Sequence, residues 1–287
     1  MKRKVICIAI AIIAFLIALG ITLYPVISTW YNERHQSQIH FAYQDQITQM
    51  EDGTLQKEKN KAIAYNQAIT PGALQVDHSE LKQEDIDQYR NLLNLLDNGT
   101  MGYVEIPSIG VTLPIYHGTN EKTLERGVGH LLGTSLPVGG ESTHAVLTAH
   151  SGMATMKMFS DLDQMVFGDV FFLEVLGETL AYQVDQIKVV LPHDTTFLGI
   201  TQGEDQCTLV TCTPYGVNTH RLLVRGSRIP YEKAQEIDEH TEKRPERTST
   251  WEKEYLKGLY IGLGAVGLLV LVVLFVYLIR RWRRARR

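Results

Sequence analysis

The stretch Cys207–Ile229, CTLVTCTPYGVNTHRLLVRGSRI, governs how the rest of the chain reads. Thr208, Leu209, Val210 and Thr211 form a β-prone run into Cys212, and Pro214, Tyr215 and Gly216 end it. His220–Ile229 reads as a second strand, with Arg221, Leu223 and Arg225 on one face and Leu222 and Val224 on the other. A seven-residue connection between two such strands can place Arg221 beside Cys212. The best nucleophile candidate is therefore a thiol at a strand end with a guanidinium across a loop.

Upstream, from Met101, the hydrophobic period is that of strands. Tyr103–Ile106, Val111–Ile115, His144–Ala149, Val170–Leu176 and Ala181–Leu191 are short β-like runs, punctuated by Pro107, Gly110, Pro114, Gly118, Gly139-Gly140 and Gly177. With the two strands around Cys212 the count is seven or eight. A closed or nearly closed antiparallel barrel hides that many short edges, so the expected class is mainly β. Met156–Met165 is expected to be the one helix inside it.

Before the barrel the period is helical. Ile39, Tyr43, Ile47 and Met50 line one face until Asp52-Gly53, and a weaker stretch runs through Ala62, Tyr65 and Ile69 to Pro71-Gly72. Tyr89, Leu92, Leu93 and Leu96 make a further stripe, expected to end at Asn98-Gly99. These helices are expected to pack on the barrel. After it, Tyr231–Trp251 is polar and charged around Pro245 and reads as a tether.

Both ends are apolar. Val5–Leu23 has 19 residues without a charge and Gly258–Ile279 has 22, giving helices of about 28 and 33 Å against a hydrocarbon core of about 30 Å. Lys2, Arg3 and Lys4 precede the first, and six arginines between Arg280 and Arg287 follow the second, so both tips are expected in the cytoplasm and the middle outside. The first segment is read as an uncleaved anchor rather than a signal peptide, because Thr22–Val26 offers no small-x-small cleavage site. The expected layout is a tip (1–4), an anchor (5–27), a helical and lid region (28–100), a barrel (101–230), a tether (231–257), a second span (258–279) and a basic tail (280–287).

The whole chain of 287 residues carries a formal charge of −4, but without the nine basic residues of the two tips 19 Lys and Arg face 32 Asp and Glu, about −13. That balance argues against a nucleic-acid partner. There are three cysteines, and Cys7 lies in the first apolar segment. Cys207 and Cys212 are too far apart along an extended strand to pair. A thiol left free on the outward side is either buried and inert or kept for its reactivity.

A thiol attacks as thiolate and needs a neighbouring base or cation. Of ten histidines, His117, His130, His144, His150, His193 and His220 fall in the barrel region. His150 closes the apolar strand Ala145–Ala149 just before Ser151-Gly152, a strand-to-loop edge that suits a cleft. Singly, each candidate has a blander reading. A strand-end histidine is commonly structural, a cysteine a small core residue, and Arg221 a surface ion-pair member.

Together these residues resemble a known family. Thr208-Leu209-x-Thr211-Cys212 followed by Arg221, with Thr148-Ala149-His150-Ser151-Gly152 upstream, looks like a sortase over Met101–Ile229. Thr213-Pro214-Tyr215-Gly216, Asn218-Thr219-His220-Arg221, Met101–Pro107 and a span after the barrel resemble the pilus-building subgroup, class C. The resemblance implies an eight-stranded sortase-type β-barrel with N-terminal helices, flanked by two transmembrane helices. It implies a Gram-positive surface transpeptidase that cleaves a Leu-Pro-x-Thr-Gly-like signal between Thr and Gly. Cys212 would be the nucleophile, His150 the acid and base, and Arg221 the oxyanion and substrate-backbone holder, with Thr211 and Thr148 as candidate supports of the substrate pocket.

The implied acceptor is a pilin lysine, the implied partners are pilins or surface proteins bearing the signal together with membrane lipid, and no metal or organic cofactor is needed. Pilus sortases commonly carry a lid with an Asp-Pro-aromatic anchor. Here Gln75–Glu80 has neither Pro nor an aromatic after Asp77, which leaves Asp77, His78 and Ser79 as a candidate lid beside the plainer reading of a helix N-cap region. Cys207 begins its strand and reads as structural, and His220 points away from the Arg221 side by strand parity. The alternatives are a sortase that anchors proteins to a cell-wall precursor, a hydrolytic cysteine protease, and a non-catalytic bitopic scaffold.

Overall fold

Short β-branched runs between glycines and prolines form eight strands in the computed structural model, which describes residues 2–69, 82–151, 153, 156–241 and 250–286. They are β1 (Thr100–Ile106), β2 (Val111–His117), β3 (Val128–His130), β4 (Thr143–Thr148), β5 (Val170–Val175), β6 (Glu178–Val190), β7 (Asp205–Thr213) and β8 (His220–Ile229). They close into a barrel in the order β1-β2-β3-β4-β7-β8-β6-β5, with Tyr103 opposite Glu174 where β5 returns to β1.

The barrel is mixed rather than antiparallel. β2 runs parallel to β3 and β4 parallel to β7, because neither pair is joined by a tight hairpin. The β2–β3 crossover carries α4 (Glu121–Leu124), whose start is capped by the Asn120 side chain accepting from the Thr123 amide. The β5–β6 hairpin intervenes between β4 and β7. Strand β3 escaped sequence reading because it is only Val-Gly-His. Gly129 is needed there, since a Cβ would lie 2.4 Å from the Gly118 carbonyl.

Residues of odd number in β7 point inward. Cys207 and Leu209 are fully buried inside the barrel, and Gly226 opposite Cys207 leaves room for the Phe171 ring, which stacks on Tyr182. The outer wall is covered in patches. Tyr43 and Ile47 of α1 (Lys2–Thr48) pack on Tyr103, joined by Leu55 of α2 (Asp52–Ala68). Elsewhere the β6–β7 connection brings Leu198 onto Val146, Val190, Val210 and Leu223.

Three expectations are corrected. The stripe through Leu96 ends early: α3 spans Gln83–Asn91, because Leu93 takes a left-handed backbone and gives its amide to the buried Glu58 carboxylate. Met156–Met165 is not a helix. Met158 has positive φ and only a 3₁₀ turn, Leu162–Gln164, forms. Tyr231–Thr241 is helix α5, not tether, because Ala234 and Ile237 share one face and pack on Val170, Phe172 and Ile229.

The chain divides into two units, Arg34–Met153 with Lys157–Ser249, and Met1–Glu33 with Ala154–Met156 and Thr250–Arg287. In the second, α6 (Thr250–Ala285) contains Leu256–Arg283, 28 residues long and apolar enough to cross a membrane. The first apolar segment lies within α1, where the described apolar stretch is the shorter Phe15–Tyr24. Among the described residues, one helix is long and apolar enough to cross a membrane.

Buried polar groups fasten α2 and α3 to the barrel. Asn66 exchanges two hydrogen bonds with the Leu136 backbone, and His117 donates to the Leu92 carbonyl. Tyr89 accepts from the Gly118 amide and donates to His130 Nδ1, while His130 Nε2 donates to the Ser135 carbonyl. His130 is fully buried, which pushes its pKa down from 6.5 to about 4. The unfolded chain binds a proton that the folded chain resists, so this contribution is complete above about pH 6.5 and is lost as pH falls toward 4. We expect the unfolding free energy of the full chain in detergent to drop by on the order of 3 kcal/mol across that window. The His130→Gln variant should show a clearly flatter pH dependence in denaturant titrations.

Candidate active site

Strand β7 sits between β4 and β8 and holds the candidate thiol at its outer end. In the antiparallel β7–β8 pair, Cys212 lies opposite Arg221 and Thr213 opposite His220. Directly opposed residues share a face, so the thiol and the guanidinium emerge on the same side of the sheet. Arg221 Nη1 donates to the Asn218 and His220 carbonyls at 3.3 and 3.1 Å, which anchors one edge of its fork to the loop. Asn218 is held at positive φ in that loop, a conformation that asparagine tolerates well.

The other neighbour comes from β4. Its parallel register sets Thr148 opposite Val210, and the Ala149 amide donates to the Val210 carbonyl at 3.1 Å. β4 ends at Thr148, and His150 follows two residues beyond it at that edge of β7. Cys212, Arg221 and His150 are all half-buried.

The segment after His150 folds back on it. The Phe159 amide donates to the His150 carbonyl at 3.1 Å, and Phe159 is fully buried. Lys157 pairs with the buried Asp161 at 3.0 Å and donates to the Ile109 carbonyl at 2.7 Å, which ties this segment to the β1–β2 turn. Sequence reading missed the Lys157–Asp161 bracket. Its i, i+4 spacing was visible but was assigned to a helix that does not form.

The remaining candidates fall elsewhere. Thr211 faces the barrel interior and its hydroxyl donates to the Ala149 carbonyl at 2.9 Å, while the Thr148 hydroxyl donates to the Val210 carbonyl. Both clamp β4 to β7 rather than present hydroxyls to a pocket. Cys207 is a free, fully buried thiol whose pKa burial raises. His220 leaves the opposite face from Arg221 and meets the Thr219 hydroxyl. Asp77, His78 and Ser79 lie outside the described residues. Among the described residues no cluster of three His, Cys, Asp or Glu side chains is set to hold a metal.

Cys212 and Arg221 stand opposite each other on β7 and β8, and His150 follows the end of β4, which pairs with the other edge of β7. The family model described as Sortase domain matches residues 104–229. Sortase C1 of Streptococcus agalactiae is 45% identical, with a TM-score of 0.64 over 67% of this chain and 98% of that one. The chain belongs to the sortase family. Sortases are cysteine transpeptidases. Sortase C of Streptococcus pneumoniae is 46% identical, with a TM-score of 0.62 over 68% of this chain and 97% of that one. These streptococcal neighbours are class C sortases. Sortase D of Bacillus subtilis strain 168 is 29% identical over 131 residues, which span 45% of this chain and 63% of that protein.

The clamp between β4 and β7 can be tested directly. Thr211→Val keeps the shape but leaves the buried Ala149 carbonyl without its donor. Unfolding free energy from denaturant titration is expected to fall by about 1–2 kcal/mol, with Thr211→Ser restoring most of it.

Proposed function

We propose that this sortase is a membrane-anchored, pilus-assembling cysteine transpeptidase that cleaves a Leu-Pro-x-Thr-Gly-like sorting signal between Thr and Gly. The observation that carries the reading is the β7–β8 register, which sets Arg221 opposite Cys212, and the position of His150 just beyond the end of β4 on the other edge of β7 supports it. The Cys212 thiolate attacks the Thr carbonyl carbon, and the developing oxyanion is met by Arg221, whose planar donor array suits it. As the C–N bond to Gly breaks, the His150 imidazolium gives its proton to the leaving amine, and a thioester to Cys212 remains. A pilin lysine amine then attacks the thioester, His150 takes up its proton, and the thiolate departs. Each cycle joins one acyl donor to one amine through an amide bond.

The choice of pilin rather than cell-wall precursor as acceptor is supported by the relatives. The work on the pneumococcal sortase C concerns pilin substrate specificity, and a related sortase C1 belongs to a pilus island of group B streptococcus. Leu256–Arg283 supplies a membrane helix, and the basic residues at both ends support a two-pass topology with the barrel outside. The candidate lid of Asp77, His78 and Ser79 would belong to the same outward part.

Incubation of the full chain in detergent with a sorting-signal peptide is expected to yield a mass adduct on Cys212, and added amine should release an amide product. Cys212→Ala should give neither. Arg221→Lys keeps the charge but not the fork, and turnover should fall on the order of a hundredfold. Release of free acid only, at a rate indifferent to added amine, would identify a protease instead. In cells lacking the protein, an intact pilin ladder with surface proteins shed would assign it to cell-wall anchoring.

A further inference from the structure

His144 has no part in the chemistry above, yet it is almost fully buried on the face of β4 that leads to His150. Its Nδ1 lies 2.8 Å from the Gly199 carbonyl and its Nε2 lies 2.7 Å from the Thr208 hydroxyl. A carbonyl only accepts, so Nδ1 carries the proton, and Nε2 accepts from Thr208. Burial lowers the pKa of this imidazole, in keeping with a neutral ring. The nearest charges are Arg225 and Asp185, which pair with each other at 2.9 Å.

Gly199 lies in the middle of the β6–β7 connection. Several backbone hydrogen bonds there are local turns: Asp194 to Leu191, Leu198 to Thr195 and Glu204 to Thr201. This connection carries Leu198 and Phe197 onto Val210 and Leu223, two residues from Cys212 and from Arg221 on their shared face. Lys188 adds a cation over the Phe197 ring. The apolar cover over Val210 and Leu223 is thus built from a loop, and His144 ties the middle of that loop to the barrel.

We infer that His144 is a positioning residue for acyl-donor binding: it locks Gly199 to Thr208 and so holds the Phe197–Leu198 cover in place over Val210 and Leu223. This rests on the transpeptidase reading for its kinetic consequence, not for its structural one.

The full chain in detergent is compared with His144→Leu, His144→Asn and Thr208→Val. Leucine removes both hydrogen bonds, whereas asparagine keeps a donor near the Nδ1 position. His144→Leu is expected to raise KM for a sorting-signal peptide about five- to tenfold with kcat within about twofold, the loss of roughly one buried hydrogen bond. His144→Asn should stay within about threefold of the wild type, and Thr208→Val should fall between them. Amide hydrogen exchange at residues 195–203 should quicken about tenfold or more in His144→Leu alone among the His144 variants, with β1 and β2 unchanged. Unchanged exchange at 195–203 in His144→Leu overturns the inference, as does a fall in kcat at constant KM. A wild type that transfers no acyl group refutes the transpeptidase reading, and the exchange result still decides whether His144 holds the connection.

Discussion

The pairing of β7 on both edges is the constraint on which the site depends. One edge is parallel to β4 and the other antiparallel to β8, and the β8 register sets Arg221 opposite Cys212. A one-residue slip of β8 against β7 would turn Arg221 to the wrong side of the sheet. The registers are fixed by what lies on either side of the strand. Leu209 and Val224 fill the barrel interior, while Val210 and Leu223 meet Leu198 outside. Because β7 is buried on both faces, a slip would exchange two apolar sets of different shape and leave the Thr211 and Thr148 hydroxyls without their carbonyl partners.

The same division between dry packing and specific polar ties recurs where the helices meet the barrel. Tyr43, Ile47 and Tyr103 supply apolar contact, but direction comes from buried polar groups paired with specific partners. Glu58 takes the Leu93 amide, Asn66 brackets Leu136, and Tyr89 bridges Gly118 and His130. An unpaired buried polar group costs more than a paired one contributes, so these ties specify the docking geometry more than they add to its strength.

Much of this was legible in the chain. Alternation and glycine-proline punctuation marked seven of the eight strands, and the pattern around Cys212, His150 and Arg221 carried the family. What was hidden has physical causes. β3 is three residues long and carries a glycine, so it has no period to detect. The helical stripe through Tyr89, Leu92, Leu93 and Leu96 is real as a buried surface, but Glu58, 35 residues upstream, claims the Leu93 amide and ends the helix. The parallel pairings depend on crossovers whose direction no local pattern encodes. His144 acts through a contact 55 residues away, which leaves no spacing signal, and the i, i+4 spacing of Lys157 and Asp161 misleads because a turn with positive φ, not a helix, joins them.

The two cysteines of β7 show how one strand gives one residue type two environments. Cys207 and Cys212 are five apart, an odd separation, so a strand with a period of two must send them to opposite faces. Cys207 enters the closed interior, where burial raises its pKa and keeps it a thiol, a small apolar filler opposite Gly226. Cys212 leaves through the outer face at the strand's end, where β4 has already stopped and β8 is just beginning. A disulfide between them would need both sulfurs on one side of the sheet, which the pairing of β7 with β4 and β8 forbids. The register that sets Arg221 opposite Cys212 therefore also keeps that thiol from its nearest potential partner.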